Sequence, residues 1–573
     1  MKEEEIILKG KETMSQNAIP ARTSAAPVPA DGRFDLESDI VVVGGGGGGL
    51  SAALFARWLG DQVILLEKAP ELGGTTKKAA FWYWVPNNAA MRELGLEDRE
   101  EDFLRYVARL SRPDRYDPSS PTLGLDDWEL ASFRAIYESA SSATELLRER
   151  GALPYRHVFE AVDYWAEIPE DKAPKGRVLL PQNAKETMAD GGEVGIRTLS
   201  EAAKRDGIDI RTGHRVQRLV MADGAVVGVE ATMADGATVR VRARKAVIFA
   251  SGGFTHDVEL RKNFLSVPVI GGCAALTNEG DFVRIASRVG AQLWNMNYAW
   301  MCPVPLEKAV AREAGMSGMF SVNGDSMIWV DKTGRRVVNE KLPYNEQAQN
   351  FFRWDSTKGE YPNLVLIMIW DQRSQDHSAD HEYGRVIVPQ GEDDAHVIRG
   401  NTLEELATAI TKRLDHYKAH IGDIALSDDF VTNLAASIER FNELARKGID
   451  EDFGRGEKAV QILFNGPVKE EPGRKNPTMW PIADSGPYYA ALIAGGTLDT
   501  KGGPKTTPDG KVLDDLDQPI PGLYGVGNCV ASASGRAYWA GGGTLGPILA
   551  FAYRAAQAAH EEPVREPSTT SSR

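Results

Sequence analysis

Cysteine is nearly missing from this sequence: Cys273, Cys302 and Cys529 are the only three in 573 residues, far apart and without a C-x-x-C pair. That excludes a disulfide framework, an iron–sulfur cluster and a cysteine-type zinc site, and it suits a reducing compartment. Basic charge is short as well. Lys and Arg number 66 against 81 Asp and Glu, a net charge of −15, which argues against nucleic acid or an anionic membrane as partner. No run reaches the roughly 18 apolar residues that a membrane span needs. The longest candidate, 364–370 (LVLIMIW), has the length of a buried strand. His377 and His381 lie in a polar stretch (QDHSADHEYG) that reads as a surface loop, so no metal is expected. Residues 1–35 mix charge with Ser, Ala and Pro and lack an apolar core segment, so they predict a disordered extension rather than a secretory signal. Residues 566–573 read as a disordered tail, and the chain as cytoplasmic.

What is present is α/β patterning on a two-domain scale. Residues 39–43 (DIVVV) form a short β-branched run, followed by six glycines (44–49), an Ala/Leu-rich helix ending at Gly60, and a second strand over 62–66 that closes on Glu67. This is a complete βαβ unit. Further strands are predicted at 208–210, 218–220, 225–229 and 246–250. From about 271 to 485 the texture changes to helices and aromatic-rich loops, with β segments near 325–330 and 364–369. Strand character then returns at 522–527, before a helix over 547–559. The predicted fold is a Rossmann-type FAD-binding domain, discontinuous over 36–270 and 486–565, holding an inserted α+β catalytic domain over 271–485.

The spacing G-x-G-x-x-G fits Gly44, Gly46 and Gly49, with Gly48 inside it. Glycine there permits a tight turn and close approach of a pyrophosphate to the N-terminus of the following helix. Glu67 then stands where a carboxylate can bind ribose hydroxyls, with Lys68 after it. A second glycine loop, Gly73, Gly74, Thr75 and Thr76, follows at once. Ala250 to Gly252 close a later strand, Gly527 and Asn528 end another, and Gly543, Thr544 and Leu545 open the last helix. Together these segments point to FAD rather than NAD; Val216 is placed beside them. No His lies in the GGTT loop, so FAD is expected to be non-covalent.

Five dense segments carry a family resemblance: 73–88 (GGTT…WVPNN), 163–177 (DYWAEIP…GR), 334–344 (GRRVVNEKLPY), 486–503 (GPYYA…TKGG) and 527–547 (GNCVAS…AYWAGGGTLGP). The chain resembles the succinate dehydrogenase/fumarate reductase flavoproteins, and among them the 3-ketosteroid Δ1-dehydrogenases. The resemblance implies that Tyr538 and the backbone N–H of Gly542 bind a ketone oxygen and that Tyr344 removes the neighbouring proton. Tyr164 is implied beside Tyr344, and a hydride passes to the flavin. It implies an apolar ketone substrate, in the first instance a steroid, and an external electron acceptor, a quinone or soluble carrier. A membrane-soluble substrate would allow loose peripheral membrane association.

The chemistry is coherent. A C–H beside a ketone is acidic only once preorganised donors meet the carbonyl oxygen. A phenol with a pKa near ~10 is a weak base at neutral pH, and the expectation is that a hydrogen bond from Tyr164 lowers that of Tyr344. Tyr155, Tyr488 and Tyr489 remain substitutes for Tyr164. Phe81, Trp82, Tyr83 and Trp84 either line the pocket or pack the domain junction, and Trp539 is expected to narrow the site. A Δ4-(5α)-ketosteroid or other cyclic-ketone dehydrogenase is an alternative. So is a fumarate-type reductase, although Tyr538 stands where such a site wants arginine and Arg536 is out of register.

Overall fold

The computed structural model describes residues 19–565 apart from 23–25, 31–32, 188, 313–321, 381–384 and 467–470. Leu36–Val43 lies at the centre of a parallel array. Val63–Leu66 and then Asp209–Arg211 lie on one side, and Thr238–Phe249 and then Pro519–Gly525 on the other. Alternate residues of these strands enter two different cores. Ile40, Val42, Val63 and Leu65 pack beneath helices Gly47–Trp58 and Leu545–His560, while Val41, Val43, Ile64 and Leu66 face Phe249 and Phe282 on the opposite side. Burial on both faces is why these strands are continuously apolar instead of alternating. On the edge away from Leu36–Val43, Thr238–Phe249 serves two partners. Its first residues pair antiparallel with Ala225–Met233, and Val247, Ile248 and Phe249 pair parallel with Pro519–Gly525. The last helix and the last strand thus come from the far end of the chain, as a discontinuous domain requires.

A second, six-stranded sheet is built around Tyr488–Thr500, which pairs antiparallel with Ala299–Pro305 and Val365–Asp371. Met327–Val330 extends it beyond Val365–Asp371. Helices Leu403–Ile421 and Phe430–Lys447 cover one face through Leu406, Ile410, Leu434 and Phe441.

This corrects the boundary expected at 486. Tyr488–Thr500 is almost wholly buried and completes the second sheet, so the chain returns to the nucleotide domain only after Thr500. The end of that strand is fixed to the first domain. Asp499 accepts the N–H of Gly253 at 3.0 Å, and the Thr500 hydroxyl accepts that of Phe254 at 2.9 Å.

The amino-terminal extension also differs from expectation where it is described. Val28–Pro29 pairs with His214–Ala222. Arg22 donates to Asp257 at 3.0 Å, and the carbonyls of Pro20 and Ala21 accept from Arg215 and Gln217. Polar docking of this kind leaves no hydrophobic pattern to read. The remainder of that extension within 1–18, the tail 566–573 and His381 lie outside the described residues.

Candidate active site

The glycine run forms the wall of a cavity of about 800 Å³. Helix Gly47–Trp58 starts there with no acidic residue in its first turn, so its N-terminus is free to face an anion. Gly44, Gly46, Gly48, Glu67, Lys68, Gly74, Thr75, Thr76, Val216, Ala250, Gly252, Gly527 and Asn528, all expected at the cofactor, line this space. The cradle is closely built. A Cβ at Gly44 would lie 2.4 Å from the Ala250 carbonyl, and one at Gly48 would lie 2.9 Å from Ile548. Glu67 accepts the N–H groups of Gly45 at 2.7 Å and Ala69 at 2.8 Å, and burial raises its carboxyl above the ordinary value.

Three expected cofactor residues have other duties. Gly49 lies beneath the turn, where a Cβ would fall 1.8 Å from the Gly44 carbonyl. Gly73 joins the two glycine loops by donating to Gly45 at 2.9 Å. Gly543 borders a neighbouring space shared with Trp539. The Lys68 ammonium pairs with Asp281 at 2.7 Å and Glu279 at 3.3 Å.

A second cavity of about 1250 Å³ continues from the first, sharing Thr75, Thr76, Asp499, Asn528 and Ile548 with it. Tyr164, Tyr344, Tyr538, Gly542, Thr544 and Leu545 all line it. Three distant segments thus meet. The Tyr164 hydroxyl donates to that of Tyr344 at 2.6 Å, and the Thr544 hydroxyl donates to Tyr538 at 3.3 Å. Tyr538 stacks on Tyr164 with centroids 5.5 Å apart and meets Tyr344 edge-on at 5.2 Å. Gly542, at φ +85°, has room for no side chain, since its Cβ would lie 2.6 Å from the Tyr83 backbone.

Burial, with Tyr164 and Tyr538 adjoining, holds the Tyr344 phenol well above its usual range. This overturns the expectation that Tyr164 lowers it: desolvation in this apolar enclosure raises the Tyr344 pKa, and the adjoining Tyr164 and Tyr538 hydroxyls add to the rise. Burial raises Tyr538 too, partly offset by bonds from Thr544 and Tyr344.

Buried polar clusters aim these side chains. Arg177, fully buried, reaches Asp98 at 2.8 Å, Asp163 at 2.5 Å and Asp171 at 3.2 Å, and Trp84 donates to Asp163 at 2.8 Å. This fixes the segment entering Tyr164, whose N–H donates to the Trp539 carbonyl at 2.9 Å. Burial pushes Asp171 up to about 6. Within GRRVVNEKLPY, Arg336 grips Glu340 at 2.8 Å and Asp450 at 2.7 Å, just ahead of the turn that starts helix Tyr344–Ala348. Asn345 then bridges to the Arg536 carbonyl at 3.2 Å. Lys501, also buried, donates to the carbonyls of Gly535 at 2.9 Å and Ala537 at 2.5 Å, and its Nζ lies 3.8 Å from the Trp300 ring centre. Trp300 meets Tyr538 edge-on at 5.0 Å.

Other expectations separate cleanly. Phe81 and Trp82 line the cavity, whereas Tyr83 and Trp84 belong to the helix-side core. Trp539 points into that core with its indole N–H on Ser111, so it does not narrow the site. Tyr155, Tyr488 and Tyr489 bond to Glu145, the Ala483 carbonyl and Gln372, away from the cavity. Arg536 is exposed, and among the described residues no arginine or histidine lines the tyrosine cavity. Sequence reasoning missed Asp499, which accepts from Asn278 at 2.6 Å and Asn528 at 3.1 Å where the cavities join. It also missed Lys78 in the cavity wall, the positioning contacts of Lys501, and the contact at 3.5 Å between the buried thiols of Cys273 and Cys302. A charged residue inside an apolar strand or beside a glycine loop is the signal that could have flagged the first three.

Comparison with known proteins gives a consistent picture. The model of the FAD binding domain family matches residues 39–545. A 4-oxocyclohexanecarboxylate 2-dehydrogenase of Sinomonas cyclohexanicum is 31% identical, over 90% of this chain and 92% of its own. A 3-oxosteroid 1-dehydrogenase of Mycolicibacterium smegmatis is 28% identical, over 91% and 96%. Among solved structures, the 3-ketosteroid Δ1-dehydrogenase of Sterolibacterium denitrificans in complex with 1,4-androstadiene-3,17-dione superposes with a TM-score of 0.76. Its identity is 25%, and 91% of this chain and 99% of that one are covered.

Proposed function

The chain belongs to the FAD binding domain family, and from that premise we propose that it desaturates a cyclic ketone beside its carbonyl, with the C1–C2 bond of a 3-ketosteroid as the first assignment. It is an FAD-dependent oxidoreductase. The glycine cradle, the helix N-terminus and the continuity of the two cavities fit the cofactor, which Gly44, Gly46, Gly48, Glu67, Thr75, Thr76, Gly252 and Asn528 would hold without a covalent link. FAD supplies a hydride acceptor.

The observation that carries the reading is the convergence of three phenols, from residues 164, 344 and 538, on a largely apolar cavity next to that cradle. Tyr538, with the Gly542 N–H beside it, would donate to the ketone oxygen as negative charge grows there. Uncharged donors in a desolvated site stabilise that charge without having to reorganise. Tyr344, once its own proton has passed to solvent, takes the proton from the adjacent carbon as a phenolate, and Tyr164, 2.6 Å away, donates to that phenolate oxygen until it is reprotonated. The substrate loses one proton and one hydride and gains a C=C bond. The two electrons then leave to an external acceptor, a quinone or soluble carrier. Among the described residues no helix is long and apolar enough to cross a membrane.

The relatives' names span steroids and a monocyclic 4-oxo acid, whose common element is a ring ketone. The test is a panel of 4-ene-3-ketosteroids, saturated 3-ketosteroids, simple cyclohexanones and fumarate, with an artificial electron acceptor and mass spectrometry of products. Loss of two hydrogens next to the carbonyl is expected; turnover of fumarate alone would refute the assignment.

A further inference from the structure

We propose that Lys78 makes this enzyme selective for a cyclic ketone that also carries a carboxylate, by pairing with that group inside the tyrosine cavity. The inference rests on the ketone-dehydrogenase reading above and narrows its substrate class. Lys78 belongs to the short helix Gly74–Lys78 that follows the GGTT loop, and it lines the same cavity as Tyr164, Tyr344 and Tyr538. Among the described residues it is the sole cation in that wall.

Its Nζ donates to two backbone carbonyls, of Cys273 at 2.6 Å and Ala274 at 3.4 Å, and, among the described residues, to no carboxylate. Asp499, the one acid in the wall, does not answer it. Its oxygens are already occupied by the N–H groups of Gly253 and Thr500, the Thr255 hydroxyl and the amides of Asn278 and Asn528.

A desolvated ammonium without a counter-ion is unusual because burial disfavours the charge. Here burial draws the Lys78 pKa below its usual value, with the neighbouring Cys273 thiol opposing the shift. An ammonium has three donors, and two carbonyls leave room for an anionic acceptor. Lys68 and Lys245 are each matched to a carboxylate, and Lys341 and Lys501 are likewise held by carbonyls, but neither of these last two lines the cavity, whereas Lys78 does. The surroundings on the Ala274 side are positive. His256 donates to the same Ala274 carbonyl at 2.9 Å, and burial, with Arg312, Lys78 and Arg261 nearby, holds that imidazole down. A carboxylate arriving from the cavity would therefore meet an unneutralised field, while a neutral ring would leave Lys78 unpaired. One lysine is a single point of attachment, unlike the paired clamp of a dicarboxylate site, so a monoacid on a ketone ring is the class that fits.

The experiment compares 4-oxocyclohexanecarboxylate with its methyl ester, which keeps the ring ketone and removes the charge, using the holoenzyme and an artificial electron acceptor. The kcat/KM ratio of acid to ester is expected to exceed ten, and Lys78→Met to lower that ratio at least tenfold, mainly through KM. Lys78→Arg should keep more of it. Cyclohexanecarboxylate, which has no ketone, should inhibit competitively and lose at least tenfold in affinity in Lys78→Met, giving a readout independent of turnover. A wild-type ratio at or below one, or a ratio and inhibition constant unmoved by Lys78→Met, overturns the proposal even when the ester is oxidised. If acid, ester and a neutral 3-ketosteroid are all untouched, the ketone-dehydrogenase reading falls, and this proposal with it.

Discussion

Replacing Tyr344 with Phe removes one oxygen from the centre of the site and leaves the ring where it is. The phenyl group would still meet Tyr538 at 5.2 Å and Phe464 at 5.8 Å, so substrate binding and folding should change little. Loss of a buried hydroxyl that bonds to Tyr164 costs about 1 kcal/mol of stability. The rate is another matter. A positioned general base contributes about 10²–10⁴-fold, or about 3–5 kcal/mol of barrier at about 1.4 kcal/mol per decade, so kcat should fall by that factor with KM nearly constant.

The pH profile is the sharper test. Tyr344 must lose its proton to act, and its pKa is held above the usual tyrosine value of ~10 by burial. Below that pKa the phenolate fraction rises about tenfold per pH unit. Wild-type kcat/KM, measured with a ketone whose own ionisation is constant, should accordingly climb with pH up to the limit of protein stability, and Tyr344→Phe should lose the slope. A wild-type plateau well below pH 9, or an undiminished slope in Tyr344→Phe, would assign the proton to another group and refute the reasoning.

Four further outcomes are expected. Lys501→Met frees the carbonyls of Gly535 and Ala537 just before Tyr538, and a shift of about 1 Å at the donor costs about 10²-fold. The expected signature is a lower kcat with normal flavin content and the wild-type pH slope. Arg177→Met leaves three buried carboxyls without their cation, which costs about 3–5 kcal/mol and should lower the denaturant midpoint; an unchanged midpoint would contradict it. Gly49→Ala places a methyl 1.8 Å from the Gly44 carbonyl, so the purified protein should lack flavin absorbance. Lys68 and Arg215 hold Asp281 down to about 2 in the folded protein, below its unfolded value of ~3.9. Its stabilising contribution is therefore complete above the unfolded value and disappears as pH falls through the folded one. The stability gap between wild type and Asp281→Asn should shrink over that interval, as followed by acid denaturation.

The site's logic is one of fixed aim in a dry space. Each of the three phenols adjoins a segment held by a buried polar group: Arg177 grips Asp163 next to Tyr164, the Arg336–Glu340 pair precedes Tyr344, and Lys501 holds the Ala537 carbonyl next to Tyr538. None of these cations lines the cavity, so they position the phenols without offering a competing partner to the ketone oxygen. The strand Tyr488–Thr500 links the two halves, because it is central in the second sheet and its end is bonded to the Gly253 turn of the first.

That division also explains what could be read in the sequence. Strand 39–43, the glycine run and Glu67 were legible because a βαβ turn is local: period, glycine and carboxylate follow one another within thirty residues. The three tyrosines were legible through motif resemblance alone, since 164, 344 and 538 share no spacing that geometry could exploit. The boundary at 486 was misplaced because Tyr488–Thr500 is apolar like any buried strand, and its hydrogen-bond partners, 299–305 and 365–371, are remote in sequence. The docking of residues 19–22 and 26–30 was invisible for a related reason. It rests on Arg22, Arg215 and Gln217 meeting backbone and carboxyl groups, and such pairings leave no periodicity. Lys78, Asp499 and Lys501 were passed over because a lone charge beside a glycine loop or at a strand end looks like a surface residue. Only its burial separates a working charge from a solvated one.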